Sequence, residues 1–521
     1  MWELLLSDKT REQNVSYSIP DTVTTKGPFQ PMRFEATVEE CIVSHGEIPK
    51  DLAGGIYRTG PCWKRPAKQG TTPLLAMDGM VQGLVFENGR ADFRNRWVRT
   101  PKYVLEDKYG RGMFDYSDGG FGDYRDYGYG EVVRTPENAH TPQGTASINI
   151  FPFAGELVVS GELGAPPQII DPITLETKGI VEWAPALSKG PHEVVCFGDG
   201  TFCAHPKWDE DTGILYGWSY SDTAPYVSMK YVHPDGTVES RDLWDAPYNT
   251  VAHDIWLTPE WVVMPFQPFI IDLQRNSKGF AVFGWEPELP ITLALIPRHN
   301  LQGEIRWIQT DLPAQYVMHT MTANVKGDQL ILDAPIFNTP PFPMEHDFKE
   351  GDQAALFFSN AASYLGRWTV NLTTGDTRAE QLSELPSEIC KVDQRFYGKG
   401  HRYGFQIGGR PKKHGMRMDS LIRNDVDKVT EQVYQIRGQG ELAAVLEASF
   451  APRTTDAPEG DGYIIVPVSW WAERRGEFQI FDTDDITAGP ICKIELPFHM
   501  GWTPHGHWMD FRSSGTATLT I

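Results

Sequence analysis

Basic charge, paired cysteines and long apolar runs are all scarce in this chain of 521 residues, and each shortage removes a class of function. Lys and Arg number 47 against 69 Asp and Glu, a formal net charge of −22. A nucleic acid or an anionic membrane is held by a basic face, so neither is expected as a partner. The six cysteines (Cys41, Cys62, Cys196, Cys203, Cys390, Cys492) contain no Cys-x-x-Cys pair. In a chain of this length that pattern reads as free, mostly buried thiols in a reducing compartment rather than a disulfide framework. Met1-Trp-Glu-Leu-Leu-Leu6 is apolar for only a few residues and has no basic stretch before it, so neither a signal peptide nor an integral membrane segment is expected. A cytoplasmic location follows from the same reading. No dinucleotide fingerprint or flavin motif is present, and no external reductant is implied.

Long helical patterns are scarce too. Short β-rich runs recur instead, among them Glu156-Leu-Val-Val-Ser160, Trp261-Val-Val-Met264, Gln329-Leu-Ile-Leu-Asp333, Trp368-Thr-Val-Asn371 and Tyr463-Ile-Ile-Val-Pro-Val468. Turn clusters such as Asp209-Glu-Asp-Thr-Gly213, His233-Pro-Asp-Gly-Thr237, Asn371-Leu-Thr-Thr-Gly-Asp376 and Asp482-Thr-Asp-Asp485 separate them. Many short strands closed by turn residues predict an all-β fold. At this length a β-propeller is the economical form, because radial blades let a chain grow without long exposed sheet edges. No signature dipeptide repeats, which excludes WD40 and kelch patterns. With no Pro/Ser linker or charge block to divide it, residues 1–521 are expected to form one domain. The Gly/Tyr/Asp-rich stretch from Tyr109 to Tyr129 and the proline-rich Asn338–Met344 read as long loops over one face, where ligand contacts concentrate.

What the chain does have is histidine in suggestive places. His205 (Phe202-Cys-Ala-His-Pro-Lys207), His253 (Val251-Ala-His-Asp-Ile255), His319 (Val317-Met-His-Thr-Met321) and His505 (Pro504-His-Gly506) lie in four strand-like settings. Singly, each of the 14 histidines is more often a surface or structural residue. These four are separated by 48, 66 and 186 residues, which suits one inward position on each of several blades converging on a propeller axis. Neutral imidazole is the commonest ligand for iron, copper and zinc, and four such nitrogens would hold a redox-capable metal with no carboxylate bound to it.

The ordered set Gly55-Ile-Tyr-Arg-Thr-Gly-Pro61, Asp78-Gly-Met-Val81, Arg94-Asn-Arg-Trp-Val-Arg-Thr100, Ala204-His-Pro-Lys207, His253-Asp254 and His505-Gly506 resembles the carotenoid cleavage oxygenases, a family that includes the stilbene-cleaving enzymes. The resemblance spans nearly the whole chain. It implies a seven-bladed β-propeller, with loops and short helices capping one face over an Fe(II) held by His205, His253, His319 and His505. His499 and His507 would then be decoys, and His192 structural. It also implies three supporting carboxylates, Glu162, Glu388 and Glu447, with Glu384 a competing match for the second. Their chemistry stands apart from the likeness: a ligating imidazole is best oriented, and made more basic, when its other N–H is given to a carboxylate.

Such a centre implies oxidative cleavage of a conjugated C=C bond by O2 into two carbonyl products, the four electrons coming from the substrate. No protein nucleophile or general base is required, and the iron and the protein divide the work between O2 activation and orientation. Stilbene and phenylpropene cleavers of the family carry a Lys before the first of these glutamates, whereas this chain has Gly161. That departure favours an apolar apocarotenoid-like polyene over a stilbene or propenylphenol that yields an aromatic aldehyde. Tyr127 and Tyr129 are the candidate contacts to a substrate phenol. The aromatic segments Trp261–Phe269, Phe337–Phe342 and Trp470-Trp471 line a tunnel or fill ordinary core. A non-catalytic propeller that binds a partner on its face is the alternative of another class. The oligomeric state is left open.

Overall fold

A computed structural model of the chain describes residues 30–62, 64–65, 77–116, 132–133, 135–142, 144–162, 164–187, 202–272, 283–341, 361–410, 418–436 and 444–512. Strand far outweighs helix among these residues, and every strand pair is antiparallel. Helix is confined to short pieces, Pro101–Tyr109 and Ala184–Leu187 among them.

The strands follow one another as up-and-down meanders in chain order. One sheet runs Asn149–Phe153, Glu156–Ser160, Gln168–Ile170, Thr177–Ile180; the next runs Lys207–Trp208, Leu215–Tyr220, Val227–Val232, Val238–Asp242. A third runs Trp256–Leu257, Trp261–Phe266, Thr292–Pro297, Arg306–Gln309. Burial falls across each meander. Leu215–Tyr220 and Val227–Val232 are nearly all buried while Val238–Asp242 is half-exposed, and Thr177–Ile180 and Arg306–Gln309 repeat the pattern. The sequence follows it: the buried strands are rich in apolar and aromatic residues, and the last strand of each meander alternates or turns polar.

Two sheets join the two ends of the described chain. His505–Asp510 pairs with Gly54–Cys62, with His505 opposite Thr59, and Cys492–Leu496 pairs with Ile42–Gly46. The 15-residue strand Thr377–Lys391 serves two partners in turn. Its first part pairs with Ser363–Asn371 and its last with Tyr403–Gly408.

The core between meanders is aromatic and aliphatic, with Trp218, Trp256, Trp368 and Trp508 fully buried. Two of these buried indole N–H groups find acceptors: Trp256 donates to the Asp333 carbonyl at 3.1 Å and Trp368 to Gln315 at 3.0 Å. Phe266 and Phe269 are fully buried, Phe269 packing edge-on to Tyr316, so this stretch fills core. The five described cysteines are buried. Among the described residues no helix is long and apolar enough to cross a membrane.

Candidate metal centre

The four histidines singled out by spacing meet in space. Their candidate ligand atoms all lie within 4.8 Å of one another, although 300 residue numbers separate the first from the last. The His205 ring stands 4.6, 4.8 and 4.2 Å from those of His253, His319 and His505, edge to face. His205, His319 and His505 are buried, and the His253 side chain is 11% exposed.

The strand-like settings expected from sequence are corrected for three of the four. His505 opens the strand His505–Asp510, but His205 and His253 precede short strands in irregular backbone and His319 lies between Tyr316–Val317 and Thr322–Lys326. A continuous ladder fixes side chains normal to the sheet, whereas an unpaired lead-in before the first strand can aim its side chain along the converging edges.

Each of three imidazoles has a glutamate behind it. His253 Nδ1 is 3.2 Å from Glu162, His319 Nδ1 2.6 Å from Glu388, and His505 Nδ1 2.9 Å from Glu447. Glu384, the rival for the second position, is exposed, whereas Glu388 is fully buried. Two of these carboxylates also take a backbone N–H beside a histidine of the cluster. Glu162 accepts from Ala204 at 3.2 Å and Glu447 from Gly506 at 2.7 Å, so each glutamate fixes a ring and a piece of chain together.

Glu388 reaches His319 through an irregularity. The register with Tyr403–Gly408 shifts between Glu388 and Lys391, and Ile389 has φ +53°, a left-handed conformation unusual for a β-branched residue. The Ile389 N–H turns onto the Glu388 carboxylate itself. Bulges of this kind re-aim a side chain, and here the re-aimed residue is the glutamate. Nothing in the local sequence signals it.

Electrostatics favours neutral imidazoles. Burial lowers His319 to about 3 and His505 to about 4, the latter against the pull of Glu447, and burial with the neighbouring histidines holds His205 well down. His253 goes the other way, because Glu162 outweighs the burial that would lower it. Burial pushes Glu388 up to about 8. Burial would raise Glu447 too, but Lys391 and His505 outweigh it and hold that carboxylate well below its ordinary range.

This donor set fits a cation. Carboxylates that accept at Nδ1 leave each Nε2 with a lone pair, and His253 Nε2 faces His319 Nε2 at 3.3 Å. The buried Nε2 of His205 has no hydrogen-bond partner among the described residues. Lone pairs crowded together and left unpaired in a buried place are costly, and a bound metal ion removes that cost. All-imidazole ligation suits iron, copper, nickel or zinc, and not calcium or magnesium.

The remaining candidates separate cleanly. His499 lies 3.3 Å from the Gln30 carbonyl, away from the cluster. His507, two residues beyond His505 on the same strand face, is buried one layer further along and meets Lys391 at 3.2 Å. Tyr127, Tyr129 and His192 lie outside the described residues. At Gly161 an added Cβ would stand 2.3 Å from the Thr145 carbonyl oxygen, so the backbone of that segment occupies the place of a side chain.

Two residues that the sequence held only as motif letters acquire roles. Arg58 is fully buried, donates to the Glu447 carbonyl, and binds Thr503 through its hydroxyl (2.9 Å) and carbonyl (2.8 Å). It thereby clamps the segments that carry Glu447 and His505, at the cost of a guanidinium lowered by burial to about 10. Asp254, next to His253, binds Lys207 and Thr320. The signal for both was an arginine and an aspartate inside otherwise buried β-patterned runs.

The model of the retinal pigment epithelial membrane protein family matches residues 29–510. The chain is 29% identical to the isoeugenol monooxygenase of Pseudomonas putida, covering 93% of this chain and 97% of that protein. It is 31% identical to resveratrol cleavage oxygenase 1 of Aspergillus fumigatus, over 96% and 98%. Among solved structures, the Pseudomonas brassicacearum lignostilbene dioxygenase superposes with a TM-score of 0.79 at 27% identity, covering 95% of this chain and all of that one.

Proposed function

The chain belongs to the retinal pigment epithelial membrane protein family, the carotenoid cleavage oxygenases, and from that premise we propose that it is a non-haem Fe(II) dioxygenase cleaving a conjugated C=C bond with O2 into two carbonyl products. The observation that carries this reading is the buried set of four imidazoles, three of them backed by glutamates. His205, His253, His319 and His505 are the proposed ligands, and Glu162, Glu388 and Glu447 their orienting partners. Bound there, ferrous iron supplies the activation of O2. The glutamates hold Nδ1–H so that Nε2 faces inward, the Glu162 and Glu447 carboxylates tie ligand to backbone, and burial excludes water from the centre.

The architecture we propose is a single seven-bladed propeller over the whole chain. It is supported by the buried-to-exposed gradient across each meander and by the two-partner strand Thr377–Lys391, which reads as parts of two blades. The segments of His205, His253, His319, Glu388, Glu447 and His505 would then each bring a residue of the site, and the sheet that opens at Asn149 would bring Glu162, just beyond its strand Glu156–Ser160.

Two substrate classes fit. Gly161, with no room for a cationic side chain, supports an apolar polyene, because a buried phenolate without a cation or donors is costly. The relatives named for isoeugenol, resveratrol and lignostilbene support a phenolic alkene. Anaerobic loading with Fe(II), followed by mass spectrometry of products from an apocarotenal, a hydroxystilbene, its methoxy analogue and a propenylphenol under labelled O2, decides between them. Label in the carbonyl products is expected. Equal rates on hydroxy and methoxy stilbenes support the polyene reading, and loss of turnover on methylation supports the phenolic one. A protein that takes up no iron and leaves every alkene intact would be a binding module.

A further inference from the structure

Just beyond the four histidines and Glu388 along the chain lies a second tier of buried polar residues that the reaction does not use: Lys207, Asp254, Thr320, Cys390, Lys391 and His507. Lys207 is two residues after His205, Asp254 one after His253, Thr320 one after His319, and His507 two after His505. Buried ions and amides of this kind persist only when paired, and their pairing here runs from one ligand segment to the next.

Asp254 reaches two of the other ligand segments. Its side chain is 2% exposed, and Lys207 Nζ reaches it at 2.8 Å. It accepts the Thr320 N–H at 2.8 Å, and the Thr320 hydroxyl stands 3.0 Å from it and 2.6 Å from the Ile255 carbonyl, donating to one of the two. It also accepts the Ile255 N–H at 2.7 Å, which fixes its own rotamer. One carboxylate thus binds the chain beside His205, His253 and His319. This is the relation in which Glu162 stands to Ala204 and Glu447 to Gly506, with the difference that Asp254 touches no imidazole.

We propose that Asp254 is a positioning residue for the metal: by joining Lys207 and the Thr320 amide it sets the spacing of His205, His253 and His319, and with it the affinity and coordination geometry of the site. The remaining links extend the belt. Cys390 Sγ lies 3.2 Å from the Thr320 carbonyl, and Lys391 Nζ lies 3.2 Å from Glu447, tying the segment of Glu388 to those of His319 and His505. Four ligands from four distant segments gain affinity when their separation is set before the ion arrives, because the ordering cost is then met in folding rather than in binding.

The inference rests on the metal reading, and Co(II) titration of apo-protein tests both. Removing Asp254 alone would strand a buried ammonium, so the decisive variant is Lys207→Met/Asp254→Ala, compared with Lys207→Met and with Lys207→Met/Asp254→Asn, in which the amide oxygen can still accept the Thr320 N–H. The Ala double variant is expected to bind Co(II) about 10- to 100-fold more weakly than wild type and to shift its visible absorption bands. The Asn double variant should return towards Lys207→Met in both readouts. Wild-type affinity and bands in the Ala double variant, even with a lowered melting temperature, would overturn the proposal and leave Asp254 a structural residue. Failure of the wild type itself to bind Co(II) would overturn the metal reading, and the positioning role with it.

Discussion

A carboxylate behind an imidazole does two things that can be separated by substitution: it orients the ring, and it makes the opposite nitrogen a better donor. Glu388→Gln keeps a hydrogen-bond acceptor within reach of His319 but removes a group that can ionise, and is expected to cost on the order of 10 to 100-fold in iron affinity or turnover. Glu384→Gln alters an exposed side chain and should leave both unchanged. Iron content and rate measured on the pair decide the assignment; damage in the second with silence in the first would reverse it. Loss of a ligand is more severe. His205→Ala, His253→Ala, His319→Ala and His505→Ala are each expected to abolish iron retention or turnover, and near-normal iron and rate in any one would remove that residue from the site.

At the level of elements, the helix Pro101–Tyr109 is anchored by charge as well as packing. Thr100 caps its N-terminus through the Tyr103 N–H, and Gly110 closes the other end in a left-handed conformation that suits glycine. From its buried side Lys102 reaches Asp78 and Glu106, each at 2.9 Å, with Asp78 standing on the strand Asp78–Glu87. Burial raises the Glu106 carboxyl and Lys102 pulls it back down. Lys102→Met removes that pull and leaves two buried carboxylates unpaired, a change expected to cost about 3 to 5 kcal/mol near neutral pH. The sign with pH follows. A carboxyl whose folded pKa lies above its unfolded value of about 4.3 stabilises below that value and loses the contribution as pH rises through the folded pKa. The penalty in Lys102→Met should therefore grow from pH 5 to pH 8, and Lys102→Met/Glu106→Gln should flatten it. Unfolding midpoints across that range check this, and a pH-independent penalty would contradict it.

For the whole molecule, a metal held by segments from His205 to His505 binds the folded chain and has no preformed counterpart in the unfolded one. Chelation should then lower the melting temperature, and Fe(II) or Co(II) restored anaerobically should raise it with added metal, by about 4 kcal/mol of stability at a thousand times the dissociation constant. A melting temperature indifferent to chelator and metal would show that the four imidazoles do not close on an ion. The same scale explains why two motif letters were silent in the sequence. Arg58 acts on Glu447 and Thr503, some 390 and 445 positions away, and no local pattern encodes a partner at that distance.

The sequence by itself determined the all-β class and the positions of the turns, because short β-rich runs and turn residues are local properties of the chain. It also determined which four histidines to bring together, since their motifs and order belong to a family and survive without geometry. Tertiary structure decided the rest. Only folding could show that three of those histidines sit in irregular lead-ins rather than in strands, and that Ile389 bends left-handed to aim Glu388. Only folding could likewise show that the Thr145 backbone occupies the space beside Gly161, or that Asp254 binds the chain beside three imidazoles at once. Each of these depends on groups far apart in sequence arriving within hydrogen-bond or van der Waals reach. That convergence is set by how the meanders pack, and no stretch of residues carries it alone.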